Sequence, residues 1–555
     1  MPDGYAAFQD IRDGSGAASG RIMADNKMIL SGDGAIAYGA KACGVTLGAG
    51  YPGTPSTEIL ETLTSIGGAA QWSPNEKVAL EVATGVSLGN GRALVTMKHV
   101  GLNVAADPLF TLTYMGVNGG LVIVSADDPG MVSSQNEQDN RNYAKFAQMP
   151  MLEPSSSQEA YDLTIRAFEL SEKFKVPVLL RMTTRVCHSM GPVTLWKEPE
   201  AFRPAPYKAD ATTKVMIPAY ARRAHVRLIQ VMKDLAAYNE ASDLHEVLNA
   251  GSSELGILSS GVSVQHVLEA APEASVLQLK MTWPLPLDAI RKFAGSVKRF
   301  AVVEEGSRFL EENLRAAGIA VEGKEDVFEC GELSVGRVKQ LLAHDVTPPP
   351  AGAPGRPPAL CPGCPHRKTF ELLSELKLTV LGDIGCYTLG VLPPFNAMDA
   401  SECMGASIGM GLGLRRTLGD SHEARRVVSV IGDSTFLHSG LTGIVDMVYN
   451  KPATGHVVLL LDNGTTAMTG LQEHAATGYH LDKTPAVPIK LEDVCRSLGV
   501  DHVDIVDPVG DQAGYRALLQ ERLASNDATV IIVRRPCLMQ MKKMAKMANS
   551  TEVKK

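Results

Sequence analysis

The chain has 555 residues, with 53 Lys and Arg against 61 Asp and Glu and a formal net charge of -8. That mild acidity argues against a nucleic-acid or anionic-membrane surface, so neither is expected as a partner. No segment is long and apolar enough to span a bilayer and the N-terminus lacks a signal pattern, so a cytoplasmic location is expected. The length exceeds one ordinary core and predicts about three domains. Nine cysteines, an odd number in a long chain, suggest reduced thiols rather than a disulfide scaffold.

Residues 1–27 are rich in Gly, Ala and Asp and read as an N-terminal extension. From 28 to 202, strand-like runs recur at 45–49, 93–97, 120–125 and 176–181, with helical patterns at 57–65, 77–88 and 157–174 between them. This alternation predicts an α/β domain. Between the first strand and helix lies Gly50-Tyr51-Pro52-Gly53-Thr54-Pro55-Ser56-Thr57, on physical grounds a Pro-rich turn with a Ser/Thr helix cap. Glu76 stands at a helix start, where the macrodipole favours an acid, whereas Glu81 falls mid-helix.

Residues 203–251 form a charged, helical stretch that reads as a connector. Short buried-strand signals near 255, 274 and 299 predict a smaller α/β domain over 252–346. The Pro/Gly run 347–358 cannot join a helix or central strand and is a linker.

The last sheet-bearing domain, 359–538, holds the most informative pattern. A strand over 426–431 ends in Gly432-Asp433-Ser434, a helical pattern covers 437–449, and a strand over 456–461 ends in Asp462-Asn463-Gly464. In a parallel βαβ unit both turns lie at the carboxyl edge of the sheet, where ligands bind. Asp433, Asn463 and a main-chain carbonyl such as that of Thr465 would offer oxygens to a hard cation such as Mg2+. The plain alternative is a pair of turn caps.

Cys361-Pro-Gly-Cys364, with Cys386 and Cys403, has the C-x2-C start of a zinc or iron-sulfur site. The rival reading is buried thiols around a tight turn. The tail, 539–555, is basic and Met-rich, with helical spacing at Met539, Met541, Met544 and Met547.

The Gly432-Asp433-Ser434 to Asp462-Asn463 pattern resembles the diphosphate signature of thiamine diphosphate (ThDP) enzymes, with Ser and Asp at two degenerate positions. Glu76 to Gly85 resembles the activating-Glu segment of such enzymes, in which a neighbouring helix packs closely on the glycine. The Tyr51-to-Ser56 loop resembles the substrate loop of 2-oxoacid:ferredoxin oxidoreductases. Further segments follow in one order: Lys98-His99-Val-Gly-Leu-Asn103, Ala126-Asp-Asp-Pro-Gly-Met131, Cys361-Pro-Gly-Cys-Pro-His366, Gly382-Asp-Ile-Gly-Cys386, Met404-Gly-Ala-Ser-Ile-Gly409 and Asp462-Asn-Gly-Thr-Thr-Ala-Met468. Together they look like the large, α subunit of indolepyruvate:ferredoxin oxidoreductase over residues 28–537.

That resemblance implies three parallel-sheet α/β domains of the ThDP-binding type: pyrimidine (28–202), transketolase-C-like (252–346) and diphosphate (359–538). It implies oxidative decarboxylation of a 2-oxoacid, an aryl pyruvate such as indolepyruvate or phenylpyruvate, to its acyl-CoA, with ThDP and Mg2+ as cofactors and coenzyme A as cosubstrate. The roles it implies are Glu76 on the aminopyrimidine ring and the backbone of Gly432 and Ser434 on the diphosphate. Asp433, Asn463 and Thr465 then hold Mg2+. Cys364, Cys386, Met404 and Met468 line the cofactor, and Thr54, Lys98, His99 and Asn103 form the substrate pocket. Thr54, His99 and His366 join Glu76 as candidate catalytic groups.

Family members usually continue into a ferredoxin-like module with cluster-binding cysteines, but residues 538–555 contain none. No iron-sulfur cluster is therefore expected in this chain, and electrons are expected to pass to a separate acceptor protein. A smaller β/γ-type subunit in an α2β2 assembly is also implied. A non-oxidative decarboxylase or carboligase, or a non-catalytic scaffold, remain the alternatives.

Overall fold

The structure is a computed structural model that describes residues 26–250, 252–348 and 358–552. Residues 1–25 of the expected extension, 349–357 of the linker and 553–555 of the tail lie outside the described residues. The chain divides into two compact units, one within 26–348 and one within 358–552.

In the first unit a seven-stranded sheet has the order Met281–Trp283, Met151–Leu152, Val178–Thr183, Leu121–Asp127, Ala93–Lys98, Leu47–Gly50, Ala70–Trp72. All neighbours pair in parallel except Met281–Trp283, which runs antiparallel to Met151–Leu152. The central strands Ala93–Lys98 and Leu121–Asp127 are buried along their whole length, which is why they read as continuous apolar runs rather than alternating ones. Helices Thr57–Ser65 and Ser157–Phe174 fall where the periodicity puts them, and Glu76–Leu88 starts one residue earlier than expected. Asn75 caps that last helix, its Oδ1 accepting from Val78 N at 2.9 Å.

A four-stranded sheet in the same unit has the order Arg299–Val303, Leu255–Ser260, Ser275–Leu279, His245–Leu248. The long helix Pro218–Ala241 opens on Pro at its first turn. The helical reading of the connector stops there: His245–Leu248 is an antiparallel edge strand of this sheet. Residues 28–202, 203–251 and 252–346 thus share one compact unit.

A buried ionic cluster joins the two sheets. Arg141 Nη1 lies 2.7 Å from Glu304 Oε2 and its Nη2 donates to Glu305 O at 2.6 Å. Arg181 Nε lies 2.8 Å from Asp127 and its Nη1 3.2 Å from Glu153. Removing either guanidinium would strand buried carboxylates, at about 3–5 kcal/mol.

The second unit is built on a five-stranded, all-parallel sheet ordered Thr379–Leu381, Val427–Gly432, His456–Asp462, Ala528–Arg534, His502–Val506. Both faces are covered: Val428, Val430, Val457 and Leu459 pack toward Phe370, and Ile431, Val458 and Leu460 toward Ile408 and Phe436. The helical pattern after Asp433 resolves into a short turn, Asp433–Thr435, a π-helical turn, Phe436–Gly440, and the helix Leu441–Tyr449. The tail begins the helix Leu538–Glu552. Among the described residues no helix is long and apolar enough to cross a membrane.

Candidate cofactor and substrate sites

In the second unit, Val427–Gly432 and His456–Asp462 are adjacent and parallel, so the turns that follow them meet at one sheet edge. Asp433 is buried. Its Oδ1 accepts from Ser434 N and its Oδ2 from Gly464 N, both at 2.8 Å, so the two turns are tied through one carboxylate. Burial works to raise this carboxyl, but His474, whose Nε2 is 3.3 Å from Oδ2, and the two amides hold it below the ordinary carboxylate range. His474 itself is raised by Asp433 and Asp462 against the effect of burial.

Asn463 is buried beside it, with Oδ1 accepting from Thr465 N at 3.1 Å. Its Nδ2 lies 3.2 Å from His366 Nε2 and donates to it. Burial pushes the His366 imidazole down to about 4, consistent with a neutral acceptor ring. The carboxylate of Asp433 and the amide oxygen of Asn463 are the hard oxygen donors that Mg2+ prefers beside a diphosphate, so the donor set fits. Gly432 is required: a Cβ there would lie 2.6 Å from the Tyr387 ring. Thr466 Oγ1 donates to Ser434 Oγ at 2.8 Å, which fixes the hydroxyl at one of the two degenerate positions.

Cys364 and Cys386 are half-buried and pack on the same apolar cluster. Burial pushes them up to about 11 and about 12, with Cys361 and Cys537 contributing in both cases. The quartet read from the sequence is therefore corrected at one place. Cys403 is exposed and lies near Glu402 and Asp383 instead, whereas Cys537, after the strand Ala528–Arg534, is near enough to act on Cys364 and Cys386. Cys537 N donates to Asn463 O at 3.0 Å. Among the described residues no three His, Cys, Asp or Glu side chains gather as metal ligands would. Met404 precedes the left-handed Gly405, and Met468 is exposed.

In the first unit, the strands Ala70–Trp72, Leu47–Gly50 and Ala93–Lys98 are neighbours, and Glu76, the Thr54 loop and Lys98–His99 follow their carboxyl ends. Ser56 stands at the start of helix Thr57–Ser65, but its hydroxyl donates back to Gly53 O at 2.9 Å rather than capping the helix. Lys98 Nζ donates to Ser133 O at 2.6 Å, and Ser133 Oγ reaches Thr54 O at 3.5 Å. Burial pushes the Lys98 ammonium down to about 8, opposed by Asp128. His99 is fully buried, with Nε2 3.1 Å from both Asn136 oxygens. Its Nδ1 has no hydrogen-bond partner among the described residues. Asn103 is exposed and pairs with Gln138 and Tyr143 rather than joining the buried group.

Glu76 is buried, and its carboxyl lies against Gly101 in the helix His99–Val104: a Cβ on Gly101 would fall 2.6 Å from Oε1. The close helix approach expected at Gly85 is not seen within the described chain, where a Cβ there meets nothing within 4 Å. Glu81 is exposed and pairs with Lys77. Gly101→Ala is expected to displace the Glu76 carboxyl and, on the catalytic role the resemblance implies for Glu76, to lower turnover by about 100-fold, the cost of misplacing such a group by an ångström. ThDP titration by tryptophan quenching should show cofactor affinity little changed.

The groups that sequence reasoning missed are His474, Tyr387, Cys537 and Asp383. His474 sits in an irregular segment, and only the contact with Asp433 reveals it.

Residues 383–533 match the family described as "Thiamine pyrophosphate enzyme, C-terminal TPP binding domain". Residues 38–246 match "Pyruvate flavodoxin/ferredoxin oxidoreductase, thiamine diP-bdg". The indolepyruvate oxidoreductase subunit IorA of Archaeoglobus fulgidus is 40% identical over 547 residues, covering 92% of this chain and 86% of that one. The same subunit of Methanothermobacter thermautotrophicus is 39% identical over 559 residues, covering 93% and 87%. A solved 2-oxoglutarate:ferredoxin oxidoreductase from Magnetococcus marinus is 16% identical and covers 58% of this chain and 66% of that one, at a TM-score of 0.48. The chain belongs to the indolepyruvate oxidoreductase IorA subunit family of ThDP-dependent 2-oxoacid oxidoreductases.

Proposed function

We propose that this chain is the ThDP- and Mg2+-dependent catalytic subunit that oxidatively decarboxylates an aryl 2-oxoacid such as indolepyruvate or phenylpyruvate to its acyl-CoA. The observation that carries the reading is the buried Asp433 carboxylate, tied to the Asn463 turn at the carboxyl edge of a parallel sheet. The aryl substrate is supported by the name of the relatives, which are indolepyruvate oxidoreductase subunits.

ThDP, when bound, supplies the electron sink for decarboxylation. Asp433, Asn463 and the Thr465 carbonyl hold Mg2+, and the main-chain groups of Gly432 and Ser434 face the diphosphate. Neutral His366 accepts from the Asn463 Nδ2 and would so fix which way that amide faces, leaving its oxygen for the cation. Glu76 holds the proton at the aminopyrimidine N1'. Lys98 offers an ammonium to the substrate carboxylate, with Thr54 and His99 beside it and Asn103 at the rim. Cys364, Cys386, Met404 and Met468 line the cofactor. Electrons pass to a separate acceptor protein, and a smaller β/γ-type subunit completes an α2β2 assembly.

The test supplies indolepyruvate, coenzyme A, ThDP, Mg2+ and a low-potential viologen dye, with and without the co-purified partner subunit. Dye reduction with acyl-CoA formation is expected when the partner is present. Release of the aldehyde without dye reduction would instead identify a non-oxidative decarboxylase.

A further inference from the structure

Asp383 is fully buried and follows the short edge strand Thr379–Leu381. Its carboxylate is surrounded by main-chain donors: Gly405 N lies 3.0 and 2.9 Å from its two oxygens, Ser407 N 3.4 Å from Oδ2 and Ile384 N 2.8 Å from Oδ1. Among the described residues no cation pairs with it. Burial pushes the carboxyl up to about 6 even though each of these amides pulls it down. An unpaired buried carboxylate is costly, and such costs cluster where function needs them.

Two chains of contact lead from Asp383 to the Asp433 turn. In one, Asp383 fixes Gly405, which is left-handed at φ +90°. A Cβ on Gly405 would fall 2.5 Å from Ser439 Cβ. Ser439 belongs to the π-helical turn Phe436–Gly440 that continues directly from Asp433–Thr435, and π-turns occur disproportionately at functional sites. In the other, Asp383 O accepts from Thr388 Oγ1 at 2.7 Å, and that hydroxyl accepts from Gly385 N at 3.1 Å. The loop so formed carries Tyr387, whose hydroxyl donates to Ile384 O at 2.8 Å and lies 3.2 Å from Thr435 Oγ1. The Tyr387 ring fills the space that a side chain on Gly432 would need.

We propose that Asp383 is a positioning residue of the cofactor site, its carboxylate holding the Asp433 turn through Gly405 while its main-chain carbonyl anchors the Tyr387 loop on the other side. The inference rests on the diphosphate reading of that turn. Both carboxylate oxygens of Asp383 are taken up by main-chain amides. The residue sets the backbone on which the diphosphate-binding turn rests, so its loss should be felt in cofactor affinity ahead of substrate affinity.

The test compares wild type with Asp383→Asn and with Thr388→Val, which removes the second tie at nearly constant volume. ThDP with Mg2+ is titrated by calorimetry, KM for the 2-oxoacid is measured at saturating ThDP, and the melting temperature is recorded without cofactor. For Asp383→Asn a loss of ThDP affinity of about tenfold or more is expected, with KM for the 2-oxoacid within about twofold and the cofactor-free melting temperature retained. Thr388→Val should show the same split at about threefold. ThDP affinity within about twofold of wild type in both variants overturns the inference, as does a melting temperature that falls in step with affinity in both. If wild type itself fails to bind ThDP, the diphosphate reading has failed instead.

Discussion

Glu76→Gln is expected to lower turnover by about 10²–10⁴-fold, the range for removing a positioned acid–base group. ThDP affinity should change little, because Gln keeps the shape and a hydrogen-bonding end. The carboxyl is buried and pressed against Gly101, so little room exists for water to replace its proton. Single-turnover decarboxylation at saturating ThDP, paired with a calorimetric ThDP titration, separates the two quantities. A parallel fall in affinity and turnover would assign Glu76 to binding alone.

Asp433→Asn is expected to have the opposite signature. The carboxylate accepts from two backbone amides and faces His474. The amide keeps one acceptor, presents an N–H where Gly464 N now donates, and removes the formal charge that a dication needs. Loss of an outer-shell partner of a metal ligand already costs 10–100-fold, so loss of a proposed direct ligand should weaken Mg2+-dependent ThDP binding by more than about 100-fold. Titrating ThDP over a range of Mg2+ concentrations checks it. Affinity that stays unchanged and Mg2+-dependent would remove Asp433 from the metal site.

The meeting of the Asp433 and Asn463 turns was legible because two runs of apolar β-formers, Val427–Gly432 and His456–Asp462, each stop at a short polar turn. The rules of parallel sheets then place both turns on one edge. The Thr54 loop and Glu76 were legible for the same reason, each following a strand and opening a helix. What was not legible depends on contacts between distant residues. The π-turn Phe436–Gly440 looks like ordinary helix in sequence; Gly440 packs so close that a Cβ would lie 2.6 Å from Ile431 Cδ1, and no local pattern announces that. Spacing arguments chose Cys403 as the fourth thiol because it is near in sequence, whereas strand order brings the end of Ala528–Arg534 beside His456–Asp462 and delivers Cys537. His245–Leu248 was hidden because its alternation is short and the preceding charged stretch favours helix. The strand reads as such only when Ser275–Leu279 is there to pair with it.

The strand Met281–Trp283 has a consequence for how this chain can be divided. It closes the edge of the seven-stranded sheet from within residues 252–346, and Trp283 stacks edge-on against Phe309 while Lys145 lies over its ring. A fragment ending near residue 250 would leave Met151–Leu152 as an open, apolar edge, bare of its covering strand and of Glu304, the counter-charge to Arg141. Such a fragment should associate through that edge. The middle third of the chain is therefore not an exchangeable module, and recombination between relatives should tolerate crossovers in the Pro/Gly run near residue 350 far better than crossovers near 250.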